Sequence, residues 1–360
     1  MAARRIDALT GLRALPAIAV VVYHLQWHLF QIEVFHFGYL SVDLFFLLSG
    51  YIMAHVHLQD FATLRWPPVA RYWALRLGRI YPVHLAVLIG LLLIVKAGAL
   101  LGRPPADPER FSAKFFLINL ALLQAWWRQI SSWNYPSWSV SCEWFAYLLF
   151  PLFAQAVVRL RTQRSLAIAL ALMVGLFAWL FTTVLSIDVE FNSGVVALGR
   201  VACEFILGML LYQWRRASTL RLPWLPLMFA LWAIALPFGW SQIHDVLVAL
   251  SYIFVLLAAE DDRSLTSRVL RQRWAMYLGE RSYSLYLTHV PVAMTVGVAT
   301  KTLGPKFGLP WFVQLAIVLA SALLVAIATY RLVERPAQRW IHQRVRRPRP
   351  LPQPEAVELT

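Results

Sequence analysis

The chain has 360 residues, of which 60% are apolar and only 14% charged, against about 25% charged in an ordinary soluble domain. The apolar excess runs along the whole chain, so a soluble core could not hide it but a bilayer could. A net charge of +15 would suggest nucleic acid in a soluble protein. Here the basic residues sit in short gaps between apolar runs, which is how topology is encoded in membrane proteins, and no nucleic-acid partner is expected.

Ten runs have the length or composition of a spanning helix, at about 20 residues each. They cover roughly 12–30, 39–57, 81–101, 139–158, 165–186, 195–214, 223–240, 246–259, 274–300 and 309–332. The first run lacks a small-residue cleavage site and continues into His24 and Gln26, which predicts a retained helix rather than a signal peptide. Cys142 and Cys203 both lie in apolar segments, so no disulfide framework is expected. The expected fold is an all-α polytopic membrane helix bundle of about ten transmembrane helices.

An eleventh apolar stretch, 111–127, is assigned by the lysines and arginines. If it does not span, the basic residues from Arg4 to Arg79, those from Arg159 to Arg273 and the tail from Arg331 to Arg349 share one side. The other side keeps only Arg103, Arg110, Lys114, Arg128, Lys301 and Lys306. The positive-inside rule then puts both termini in the cytoplasm and makes 111–127 re-entrant or interfacial. Trp126, Trp127 and Trp133 suit an aromatic belt at the outer interface. Residues 1–340 read as one transmembrane domain, and 341–360 as a basic, then proline-rich, disordered cytoplasmic tail.

Polar side chains inside a membrane are costly, so each needs a reason. Arg13 and His24 are eleven residues apart. At about 100° and 1.5 Å per residue they share a helix face, roughly 16 Å apart along the axis. An extended ligand could place a phosphate at Arg13 and its reactive end at His24; the alternatives are a snorkelling arginine and a structural histidine. Asp43 needs a partner, as the orienter of a histidine or the cap of a neighbouring helix. Arg76 and Arg79, in RYWALRLGRIYP (71–82), lie on one helical face and suit phosphate oxygens, or serve only as positive-inside residues. Glu143, beside Trp138 and Trp144, is placed for acid or base work or for holding a histidine tautomer. His289 is a second histidine in an apolar run, either near the substrate or hydrogen-bonded between helices. Arg200 and Glu204 read as a structural i, i+4 ion pair. His24 and His28 have a metal-like spacing, but no ligand set completes a site, so no metal is expected.

Six segments in this order resemble the acyltransferase 3 family of membrane acyltransferases. They are DALTGLRALPAIAVVVYH (7–24), VDLFFLLSGYIM (42–53), RYWALRLGRIYP (71–82), SWSVSCEWFAYLLFP (137–151), SYSLYLTHVPV (282–292) and RLVERPAQRW (331–340). The resemblance implies ten spanning helices and transfer of an acyl group, usually acetyl, from coenzyme A to a hydroxyl. Typical acceptors are sugars of exopolysaccharide, lipopolysaccharide or another envelope glycan, at the bacterial cytoplasmic (inner) membrane. The family's arginine-to-histidine motif falls on Arg13 and His24, its RxxR pair on Arg76 and Arg79, and its tryptophan–serine–glutamate motif on Trp138, Ser139 and Glu143. This chain reads Cys142, Glu143, Trp144 where relatives often carry a second acid.

The expected chemistry follows. Arg13, Arg76 and Arg79 hold acetyl-CoA, a donor substrate rather than a resident cofactor. His24 acts as base or as nucleophile, with Glu143 or Asp43 orienting it. Trp138, Asn134, Tyr135 and His289 are candidates for the carbohydrate side, and membrane lipids surround the bundle. The alternative class is a flippase or exporter of a lipid-linked glycan.

Overall fold

The computed structural model describes residues 6–26, 36–126, 132–184, 194–218, 220, 222–239 and 241–345. Trp127, Arg128, His28 and the proline-rich tail, all named above, lie outside them. The described residues form fifteen α-helices with short 3-10 and π turns, and no strand.

Helix α1 (Asp7–Leu12) runs into α2 (Ala14–Leu25) through a break at Arg13. Pro16 explains the break: it has no N–H to return to the Leu12 carbonyl four residues back. Next come α3 (Ser41–His57), the 35-residue α4 (Trp66–Leu100) and the short α5 (Ala113–Leu120). Eight residues rise only about 12 Å, too little to cross about 30 Å of hydrocarbon. The 111–127 segment therefore does not span as a helix, as the charge pattern predicts. Its Trp133 neighbour departs from the belt expectation. That side chain is buried, donates from Nε1 to the Ser112 carbonyl at 3.2 Å and packs edge-on against Phe111 and Phe116.

The bundle continues with α6 (Trp138–Val157), α7 (Gln163–Trp179), α8 (Val195–Ala217), α9 (Trp224–Ala235) and α10 (Gln242–Glu260). It closes with α11 (Leu265–Leu270), α12 (Arg273–Val292), α13 (Val298–Leu303), α14 (Trp311–Thr329) and α15 (Arg335–Arg344). Each of the ten apolar runs falls on helix over most of its described residues, and among the described residues eight helices are long and apolar enough to cross a membrane. The stretch Trp224–Phe238 is a shorter apolar helix. Helix α12 carries Arg273, Glu280 and Arg281, and its Ser282, Ser284, Thr288 and His289 are buried.

Helices α3 and α8 form the most extensive contact at the centre of the bundle. A Cβ at Gly50 would collide with the Phe205 carbonyl, and one at Gly208 with the Leu47 carbonyl. Glycine lets the two backbones touch, which is how helices associate where lipid removes the hydrophobic driving force. Helix α12 packs against α1, α2, α4 and α14, so it brings together the first and last thirds of the chain.

Candidate active site

A cavity that opens to solvent lies between α3, α4, α6, α12 and the break at Arg13. Arg13, Arg76, Arg79 and Glu143, four residues singled out from sequence, all line it. They arrive from three separate segments, so the fold assembles what the sequence presents piecemeal. Because Arg13 occupies the helix break and Arg76 and Arg79 occupy successive turns of α4, three guanidiniums converge on one space.

The three arginines are not equivalent. Arg79 is ion-paired with Glu334, whose side chain is fully buried. Glu334 also accepts from Ser284 Oγ at 2.5 Å and from Gln338 Nε2 at 3.2 Å. It sits in a π turn (Tyr330–Glu334) just before Pro336, where the missing proline N–H loosens the helix and turns the carboxylate inward. Arg76 has no carboxylate partner among the described residues. Its Nη1 meets only the Met53 sulfur at 3.5 Å, its Nε is buried without a partner, and the guanidinium lies 5.9 Å and 6.0 Å from the Tyr72 and Tyr147 ring centres. Among the described residues Arg13 likewise makes no ion pair at salt-bridge distance, although it feels the charges of Arg79, Glu143 and Glu334. Glu143 accepts from Ser49 Oγ at 2.9 Å and from Tyr147 Oη at 2.5 Å. With Arg79 neutralised by Glu334, the cavity retains two guanidiniums against one carboxylate, which suits an anionic ligand.

His24 does not line this cavity. Its partner is His289: Nδ1 of His24 lies 3.1 Å from Nε2 of His289, with the rings nearly parallel at 6° and centred 5.1 Å apart. His289 Nδ1 meets the Tyr286 carbonyl at 2.5 Å. A carbonyl only accepts, so His289 Nδ1 carries the hydrogen. With both rings neutral, His289 Nε2 then accepts from His24 Nδ1–H, and the lone pair of His24 resides on Nε2. Tyr135 meets the His24 ring edge-on at 5.0 Å, and Trp138 packs on Phe46 of the cavity wall at 6.2 Å.

Two expectations about orienting groups need correction. Asp43 does not touch His24; it is ion-paired with Arg200 and accepts from its Nε at 2.9 Å. Glu204 meets the same Arg200 nitrogen at 3.5 Å. The Arg200–Glu204 pair is thus part of a buried cluster of Asp43, Arg200 and Glu204 joining α3 to α8. Glu143, for its part, accepts from Ser49 and Tyr147 and lines the cavity with the arginines, while His24 has a ring-nitrogen contact with His289.

Asn134 has a backbone role. Pro291 cannot donate to the Leu287 carbonyl, and Asn134 Nδ2 donates to that carbonyl at 3.1 Å instead. Sequence reading passed over Glu334 and Tyr286. The signals were an acid between Arg331 and Arg335 at a helix end, and a tyrosine three residues before His289. Among the described residues no group of histidines, cysteines and carboxylates could hold a metal ion.

Residues 6–331 match the acyltransferase domain of the acyltransferase 3 family. The chain is 28% identical to acyltransferase MdmB of Streptomyces mycarofaciens, over 94% of this chain and 93% of that protein. It is 24% identical to O-acetyltransferase OatA of Staphylococcus aureus (strain NCTC 8325 / PS 47), over 93% of this chain and 58% of that protein. It is 23% identical to the putative peptidoglycan O-acetyltransferase YrhL of Bacillus subtilis (strain 168), over 92% of this chain and 55% of that protein. The chain thus spans little more than half of the last two relatives. No solved structure matches it. A family match over nearly the whole chain, on a helix bundle built to cross a bilayer, means that this protein belongs to the acyltransferase 3 family and is a multi-pass membrane acyltransferase.

Proposed function

We propose that the protein moves an acetyl group from cytoplasmic acetyl-CoA to a hydroxyl of a cell-envelope or exported carbohydrate. The observation that carries this reading is one cavity holding Arg13, Arg76 and Arg79 whose far wall, Tyr286, is bonded to the His24–His289 pair. The excess of guanidinium over carboxylate suits the donor's phosphates. Arg13 and Arg76 bind them, while Arg79, held by Glu334, fixes the wall and supplies less charge.

Chemistry then occurs about 16 Å further along the first helix, a distance set by eleven residues at 1.5 Å rise and comparable to the reach of a pantetheine arm. His24 Nε2 accepts the proton of the acceptor hydroxyl as its oxygen attacks the thioester carbonyl. The carbon–oxygen bond forms, the carbon–sulfur bond breaks, and the proton passes to the departing thiolate. His289 holds His24 in the required tautomer and shares the charge of the transient imidazolium. The exposed faces of Tyr135 and Trp138 offer aromatic surface to the sugar. The lysine and arginine distribution supports a bacterial cytoplasmic membrane orientation with both termini inside. Orientation matters because the donor is made inside and the glycan is finished outside.

The test is acetyl-CoA binding to purified protein in detergent, for wild type and Arg76→Ala, followed by transfer assays with His24→Ala. Expected results are wild-type binding that Arg76→Ala weakens, and transfer that His24→Ala abolishes with binding retained. A well-folded wild type that binds no acetyl-CoA would turn the assignment towards glycan transport. Near-normal transfer by His24→Ala would overturn the mechanism.

A further inference from the structure

The donor cavity stops one side chain short of the histidines. Its lining ends at Phe45, Ser139 and Tyr286, and the next group beyond Tyr286 is His289, whose ring lies 6.0 Å from the tyrosine ring. The phenol is fastened across the gap. Tyr286 Oη lies 2.8 Å from Ser139 Oγ and donates to the Pro136 carbonyl at 3.0 Å, a carbonyl that Ser139 Oγ also meets at 3.1 Å. Phe45 packs edge-on against the tyrosine ring at 6.1 Å. Two hydroxyls thus share one carbonyl, so either can take over the bond when the other swings away. Tyr286 also accepts from His289 through its backbone, so its side chain can move without disturbing the His289–His24 contact.

We infer that Tyr286, braced by Phe45 and Ser139, is a partition between the donor cavity and the histidine pair that keeps water from the thioester, and so decides transfer over hydrolysis. The inference rests on the donor reading above. A base that activates a sugar hydroxyl activates water equally well. Both reactions form a carbon–oxygen bond, break the carbon–sulfur bond and deliver one hydroxyl proton to the thiolate; one yields an acetyl ester and thiol, the other acetic acid, which ionises to acetate by releasing its proton to water, and thiol. Water is the smaller nucleophile, so no pocket can reject it by fit, and only physical exclusion discriminates against it.

The experiment follows thiol release from acetyl-CoA by the purified full chain without acceptor. Wild type is compared with Tyr286→Ala, Tyr286→Phe and Phe45→Ala, with CoA binding measured for each. Removing the ring, or its brace, should raise acceptor-independent thiol release about tenfold or more with CoA still bound. Tyr286→Phe, which keeps the ring but loses the contacts of its hydroxyl with Ser139 and the Pro136 carbonyl, should leak less than Tyr286→Ala. Adding His24→Ala to Tyr286→Ala should abolish the leak. Thiol release no faster than wild type in both alanine variants with CoA bound overturns the partition, and so does a leak that survives loss of His24. Failure of the donor reading is separate, since wild type itself would then bind no acetyl-CoA.

Discussion

His24 Nδ1 and His289 Nε2 meet at 3.1 Å, although 265 residues separate them in the chain. The Tyr286 carbonyl at His289 Nδ1 only accepts, so with both rings neutral His24 Nδ1 donates to His289 Nε2. In the mechanism proposed above, a backbone carbonyl and a second imidazole orient His24 where a carboxylate commonly orients a catalytic imidazole.

Replacing His289 should therefore lower turnover rather than donor affinity. His289→Ala is expected to reduce the rate of transfer by about 10²-fold or more, in the range seen when general-base catalysis is disabled, with acetyl-CoA affinity close to wild type. Parallel steady-state and binding measurements check this. A large loss of affinity with unchanged turnover would place His289 at the donor instead.

Arg76→Ala and Arg79→Ala should separate. Arg76 has no carboxylate to leave behind, so its loss should weaken acetyl-CoA binding with little change in melting temperature. Arg79→Ala strands the fully buried Glu334 and should destabilise the protein by about 3–5 kcal/mol, the usual cost of uncovering a buried charge. Adding Glu334→Gln should restore part of that stability. Thermal unfolding in detergent reads the difference.

Asp43→Ala should act on the scaffold. It removes the closest carboxylate from Arg200, which is 2% exposed, at a contact where α3 and α8 touch through Gly50 and Gly208. A loss of stability of about 3 kcal/mol is expected, with the surviving folded fraction keeping its affinity for acetyl-CoA. If Asp43→Ala melts like wild type but is inactive, Asp43 has a chemical role after all.

Asn134→Ala should leave the Leu287 carbonyl without its donor, two residues from His289. The expected cost is about 1–3 kcal/mol for one buried unsatisfied group, with a fall in turnover as the end of α12 loosens. Adding Pro291→Ala restores a backbone N–H that can take that carbonyl, and should recover stability. Absence of recovery in the double variant would show that Asn134 does more than close the proline gap.

The sequence alone determined the membrane class and the helical runs, because a bilayer imposes length, hydropathy and charge rules that act locally. The non-spanning 111–127 segment was legible for the same reason. Arg13, Arg76, Arg79, His24 and Glu143 could be singled out because polar groups in apolar runs are costly wherever the chain goes. What only the tertiary structure decided was pairing. Asp43 went to Arg200, Arg79 to Glu334, Asn134 to the carbonyl freed by Pro291, and His289 to His24. Each partner comes from a distant segment, and its choice depends on which helix faces pack together. Helix spacing fixes where a side chain points along its own axis but carries no information about what lies opposite.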